Sequence, residues 1–132
     1  AAIGNTGLTM NPYLVADKRS ADLQVLATTK PTEHARAMTP ANAAALLGMM
    51  ETVVNQGTGS NAQIPGVRVA GKTGTAETGG TRPNVAWFVA VAPVDNPQVA
   101  VAVAVENAGS SEVSGNALAA PIARQVIEAV LQ

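Results

Sequence analysis

The chain contains no cysteine and a single histidine, His34. No disulfide can form, and a zinc site lacks its usual ligands. Aromatic residues are almost as scarce, with one Trp, one Tyr and one Phe in 132 residues. An apolar content of 47% is enough for a core. Ala, Val, Leu and Met must build most of it, so the elements have to approach closely. Charge is thin as well, at 13% of residues and a net charge of −1. The basic residues are scattered, with no interleaved aromatics, which argues against a nucleic-acid partner. No apolar run approaches the ~18 residues of a membrane span, and no signal peptide is visible. Nothing in the composition calls for a metal or another cofactor. The length suits one domain or part of a larger one.

What is present is concentrated in Val67-Arg68-Val69-Ala70-Gly71-Lys72-Thr73-Gly74-Thr75-Ala76-Glu77. Val67 and Val69 alternate around Arg68, which is the period of a half-buried strand. Lys72 then stands among small residues, with hydroxyls at Thr73 and Thr75. One ammonium, N–H and O–H donors, and the close approach allowed by Gly71 and Gly74 suit an anionic ligand lying alongside. Two motifs fit these letters. Gly66 to Thr73 satisfies G-x-x-x-x-G-K-[ST], the phosphate-binding P-loop. Lys72-Thr73-Gly74 is a K-T-G box. A P-loop requires a strand before its first glycine and a helix opening at the Lys-Thr pair. Here Ile64-Pro65 precedes, and Gly74, Gly79, Gly80 and Pro83 follow, so no helix is expected there. A bare K-T-G is also compatible with a glycine-rich hairpin carrying a solvated lysine.

Along the chain, residues 1–3 read as the last turn of a helix, with Gly4 and Gly7 as stop signals. Residues 12–16 and 23–27 read as short strands around the polar turn Asp17-Lys18-Arg19-Ser20, and residues 28–38 as irregular. His34 reads as a solvated loop residue. Thr39-Pro40 is a helix start, a hydroxyl cap followed by proline in the first turn. Ala43, Leu46, Leu47, Met50, Val53 and Val54 follow at helical spacing, and Gly57 ends the helix. Residues 57–61 read as a flexible connection into the box strand, and Gly79–Pro83 as a turn after it. Trp87 to Ala92 is continuously apolar, as for a central strand covered on both faces. In Val99–Val105, valines alternate with alanines, and the small face is expected to receive the last helix, about 117–131. The expected fold class is α+β, an antiparallel sheet with helices packed against it. The box strand and Val99–Val105 are expected at its two edges.

The letters around the box carry a wider resemblance. Gly57-Thr58-Gly59, Ile64-Pro65-Gly66 and Val69 to Ala76 together resemble class B penicillin-binding proteins. So do Met10-Asn11-Pro12-Tyr13-Leu14-Val15 upstream and Trp87-Phe88-Val89-Ala90 downstream. The resemblance covers nearly the whole chain, with Glu77 where many members carry glutamine. It implies the penicillin-binding (serine β-lactamase-like) transpeptidase fold. That family places its nucleophile in S-x-x-K and a second motif, S-x-N, both before K-T-G. No serine here is followed by lysine three places on, and Ser114-Gly115-Asn116 lies after the box. It is read as a loop before the last helix. Residues 1–132 are therefore expected to be the C-terminal portion of one transpeptidase domain, with the nucleophilic serine N-terminal to this chain. Val99–Val105 is expected to pair with strands of that preceding half.

The resemblance implies acylation of a serine by the penultimate D-Ala of a peptidoglycan stem peptide, then transfer to an amine of a neighbouring stem. β-Lactams mimic the donor. It assigns Lys72 and Thr75 to catalysis, Lys72 by positive potential and the Thr75 N–H as an oxyanion donor. It assigns Thr73, Gly74, Thr75 and Gly71 to substrate binding, with the Thr73 and Thr75 hydroxyls on the substrate carboxylate. It further implies an extracytoplasmic location, an anchor outside this chain, and a glycosyltransferase or division-machinery partner. A serine β-lactamase shares the box. A non-catalytic half-domain used in binding or assembly is the reading from outside enzymology.

Overall fold

The computed structural model describes residues 1–79, 83–106 and 114–132. A 3₁₀ turn at Ile3–Asn5 leads into two small ribbons. Strand β1 (Leu8–Met10) pairs antiparallel with β4 (Glu33–Arg36), and β2 (Asp17–Arg19) with β3 (Val25–Thr28). These differ from the sequence expectation. Residues 12–16 form no strand, β2 occupies the expected turn, and β4 lies in the stretch read as irregular. The turn has moved to residues 20–24, where the Ser20 N–H donates to the Gln24 carbonyl and the Ser20 hydroxyl is bonded to Asp22. β4 is held by polar contacts, including the Thr9 hydroxyl on the Ala35 carbonyl at 2.6 Å. All four of its residues are exposed, so it has no in–out alternation to betray it.

Helix α1 (Pro40–Gln56) begins as its sequence requires. Thr39 Oγ1 accepts from the Asn42 N–H at 3.2 Å, and Pro40 needs no partner in the first turn. Gly57 caps the other end. Of the expected apolar stripe, Ala43 and Val54 are buried, Leu46 is exposed, and Leu47, Met50 and Val53 lie between. After α1, a 3₁₀ turn at Ser60–Ala62 leads to a tight turn at Ile64–Val67. Gly66 adopts φ +78° there, and the Val67 N–H donates to the Ile64 carbonyl at 3.1 Å. Pro65 then Gly66 at the two centre positions is the chemistry of a type II turn.

The main sheet has three antiparallel strands in the order β5 (Ala70–Ala76), β6 (Val85–Ala92) and β7 (Val99–Val105). β5 and β7 are its edges, as expected. β5 begins at Ala70 rather than Val67, although Val69 is buried and Arg68 exposed as the alternation required. Residues 80–82 of the expected turn after the box lie outside the described residues. Cross-strand partners share a face. Phe88 and Ala90 share theirs with Val103 and Val101. On that face lies helix α2 (Ala120–Leu131), entered through a π-helical turn at Gly115–Ala119. The helix thus covers the valine face of β7, not the alanine face as expected. The close approach is made by the helix's own small residues, since Ala119, Ala120 and Ala123 are fully buried. Ala100, Ala102 and Ala104 stay exposed on the far side, with Trp87 and Val89 beside them. β6 is therefore covered on both faces only toward its end, from Ala90 to Ala92. Among the described residues no helix is long and apolar enough to cross a membrane.

One ion pair ties α1 to the approach to β5. Arg68 Nε and Nη2 donate to Glu51 Oε1 and Oε2 at 2.7 and 2.8 Å. The Arg68 hydrogen bond holds the Glu51 carboxyl below its usual range, against a smaller opposing effect of burial. The resulting stability is full above the ordinary glutamate pKa and is lost as pH falls through the lowered one. Glu51→Gln should therefore lower the melting temperature at neutral pH. The gap from the parent should close in acid, and a gap independent of pH would refute the assignment.

Candidate active site

Each box residue takes its position from the β5–β6 register. Lys72 pairs with Val89 and Gly74 with Trp87, while Thr73 pairs with Phe88 and Thr75 with Ala86. Strand alternation therefore puts the two hydroxyls on the α2 side of the sheet and the ammonium on the other. All of them lie on β5, an edge strand whose outer side has no partner strand in the sheet among the described residues. Lys72 and Thr75 are exposed, and Thr73 and Gly74 are half-buried. Lys72 Nζ donates to the Thr73 carbonyl at 2.7 Å. Among the described residues it has no carboxylate partner. The strip thus offers an unneutralised cation and hydroxyl donors to an anion. Because Lys72 and Thr73 lie within a strand, no helix opens at them, and the P-loop geometry is absent.

Gly71 is buried, and the reason for glycine there differs from the one the sequence suggested. A Cβ at this position would lie 2.5 Å from Phe88 Cζ and 3.1 Å from Val54 Cγ2. The missing side chain makes room for the only phenylalanine, not for a ligand. Gly74 is less confined, since a Cβ there would come no nearer than 3.3 Å, to Trp87 Cβ.

Sequence reasoning missed a set of supporting residues. Thr58 Oγ1 lies 3.0 Å from Thr73 Oγ1, a hydroxyl pair beside the K-T-G box. The turn that follows Thr58 is bonded to the start of the last helical segment. The Asn61 N–H donates to Asn116 Oδ1 at 2.9 Å, and Asn61 Nδ2 donates to the Asn116 carbonyl at 3.1 Å. Asn116 Nδ2 donates to Ser60 Oγ at 3.3 Å. Gly115 presses on the box strand itself, since a Cβ there would lie 2.3 Å from the Trp87 carbonyl oxygen and 3.1 Å from that of Gly74. Residues 57–61 are thus tethered rather than free, and Ser114-Gly115-Asn116 is a packing element. The only advance signal was that spelling, on the wrong side of the box. His34 is exposed in β4, 3.2 Å from Asn11 Oδ1, far in sequence from the box. Among the described residues no three His, Asp or Glu side chains gather as a metal site would require.

Residues 1–128 match the family described as the penicillin binding protein transpeptidase domain. The chain belongs to this family. The peptidoglycan D,D-transpeptidase PbpA of Mycobacterium tuberculosis is 48% identical over 139 residues, covering 100% of this chain and 28% of the relative. PbpA of Mycolicibacterium smegmatis is 44% identical over 136 residues, with the same two coverages. The ceftriaxone acyl-enzyme complex of M. tuberculosis penicillin-binding protein A superposes with a TM-score of 0.92 at 45% identity, over 99% of this chain and 30% of that one. This transpeptidase-family chain therefore spans under a third of the length of such relatives.

The fit of Phe88 over Gly71 is testable. Gly71→Ala should destabilise the fold by about 1–3 kcal/mol through overpacking. Phe88→Leu in the same background should recover part of that loss. Denaturant midpoints measure both, and an unchanged midpoint for Gly71→Ala would show that the space was open.

Proposed function

We propose that this chain is the K-T-G-bearing, C-terminal part of a peptidoglycan D,D-transpeptidase, acting on stem peptides and acylated by β-lactams. The observation that carries the reading is a K-T-G box lying along an edge strand with Lys72 and Thr75 exposed, in a chain of this family. The names of the relatives support it further. The nucleophilic serine belongs to the preceding half of the same domain, because no serine here has the S-x-x-K spacing. A strand of that half pairs with β7, whose outer edge is otherwise bare among the described residues.

In the reaction, the serine Oγ attacks the carbonyl of the penultimate D-Ala and the terminal D-Ala departs with a proton on its amine. A stem-peptide amine then takes the acyl group and frees the serine. Lys72 supplies positive potential near the serine and the substrate carboxylate. The Thr73 and Thr75 hydroxyls bind that carboxylate, with Gly74 leaving the strand open to it. The Thr75 N–H is one donor to the tetrahedral oxyanion, an interaction worth roughly 2.7–4 kcal/mol in comparable sites. An edge strand can also take the substrate backbone as an added strand. Such chemistry belongs outside the cytoplasmic membrane, with the anchor and any glycosyltransferase partner engaged by segments other than residues 1–132.

Intact mass spectrometry of the full-length protein after incubation with a fluorescent penicillin tests this reading. A stable adduct on an upstream serine is expected. Lys72→Ala should slow its formation by about 100-fold or more. An unchanged rate removes Lys72 from its role. Sustained turnover of nitrocefin would identify a β-lactamase instead.

A further inference from the structure

We infer that Thr58 is a positioning residue that orients the Thr73 hydroxyl toward the ligand carboxylate, and that Asn116 holds Thr58 in place. The inference rests on the transpeptidase reading. A threonine hydroxyl has one proton and a free rotor. At 3.0 Å, Thr58 and Thr73 must share a hydrogen bond, in which one donates and the other accepts. A carboxylate can only accept. When it sits at Thr73, the Thr73 proton has to point to it, and Thr58 is left as donor to the Thr73 oxygen. The result is a chain from Thr58 O–H to Thr73 O–H to carboxylate, in which each bond polarises the next. Hydrogen bonds to a charged acceptor are the stronger kind.

The relay requires Thr58 to be fixed. Gly59 is buried, and its N–H donates to the Val53 carbonyl at 2.9 Å, seating the turn on the end of α1. Ala62 is fully buried at the far end of the turn. Between these anchors, Ser60 and Asn61 are exposed and depend on Asn116, which bonds both. Asn116 in turn follows Gly115, pressed on the backbone of Gly74 and Trp87. The clasp therefore measures the turn's position against the box strand itself.

The test uses the full-length protein and separates the apparent binding constant for penicillin G from the acylation rate constant. Thr58→Val should weaken binding by about 3- to 10-fold, the scale of one lost link in a charge-assisted chain. Thr58→Ser, which keeps the hydroxyl, should restore it. Asn116→Ala should weaken binding in the same direction. Penicillin G methyl ester, which lacks the carboxylate, should react equally with the parent and with Thr58→Val. Equal losses with acid and ester would mean a structural role and overturn the relay. So would a Thr58→Val protein that binds penicillin G as the parent does. If the parent itself gains no adduct, the transpeptidase reading falls and the relay with it.

Discussion

The register between β5 and β6 is the constraint on which the rest of the molecule depends. Side chains alternate along a strand, so a slip of one residue would exchange the faces of every group in the box. Lys72 would move to the α2 side, and Thr73 and Thr75 would leave it. Phe88 pins the register. It is the only phenylalanine, it is fully buried, and it needs the space that Gly71 leaves beside it. Were β6 to turn over instead, Phe88 would meet solvent on the face where Trp87 and Val89 now stand. A core built mainly of alanine and valine has few shapes that specify one arrangement. The large aromatic and the glycine opposite it supply that specificity.

Around this sheet the supporting elements leave the box accessible. α1 is attached through Val54 in the core and through the Glu51–Arg68 pair just before β5 begins. α2 covers the valine side, its alanines letting the helix axis come close to the strands. The turn at Gly115–Ala119 lies against the box strand backbone at Gly74. These contacts stiffen β5 from one face while Lys72 stays without a carboxylate partner among the described residues. Rigid elements around an exposed polar strip are what a preorganised anion site requires.

Much of this was legible because its causes are local. Thr39-Pro40 and Gly57 mark the ends of α1 through capping chemistry that needs no distant partner. The valine alternation of β7 and the K-T-G letters are likewise contained in a few residues. Of the two ribbons only β3 was legible, overlapping the strand expected at 23–27, because short strands that are exposed or only half-buried have little apolar period to read. The face of β7 chosen by α2 was not legible either. Alternation separates a large face from a small one without saying which is covered, and the small residues turned out to be on the helix. The reason for Gly71 depended on where Phe88 would sit, which is a tertiary fact. Asn116 was missed for the same reason, since its partners lie far away along the chain.

That separation matters for how the site comes into being. Asn61 and Asn116 are 55 residues apart, whereas β5 and β6 are neighbours in sequence. The hairpin can close early at small entropic cost, but the clasp must wait for a long loop to close. The box strand and the hydroxyl that steadies it are thus products of different stages of folding. The surroundings of the K-T-G strip are completed only when Asn116 has docked, so a partly folded chain would display the motif without its supporting contacts.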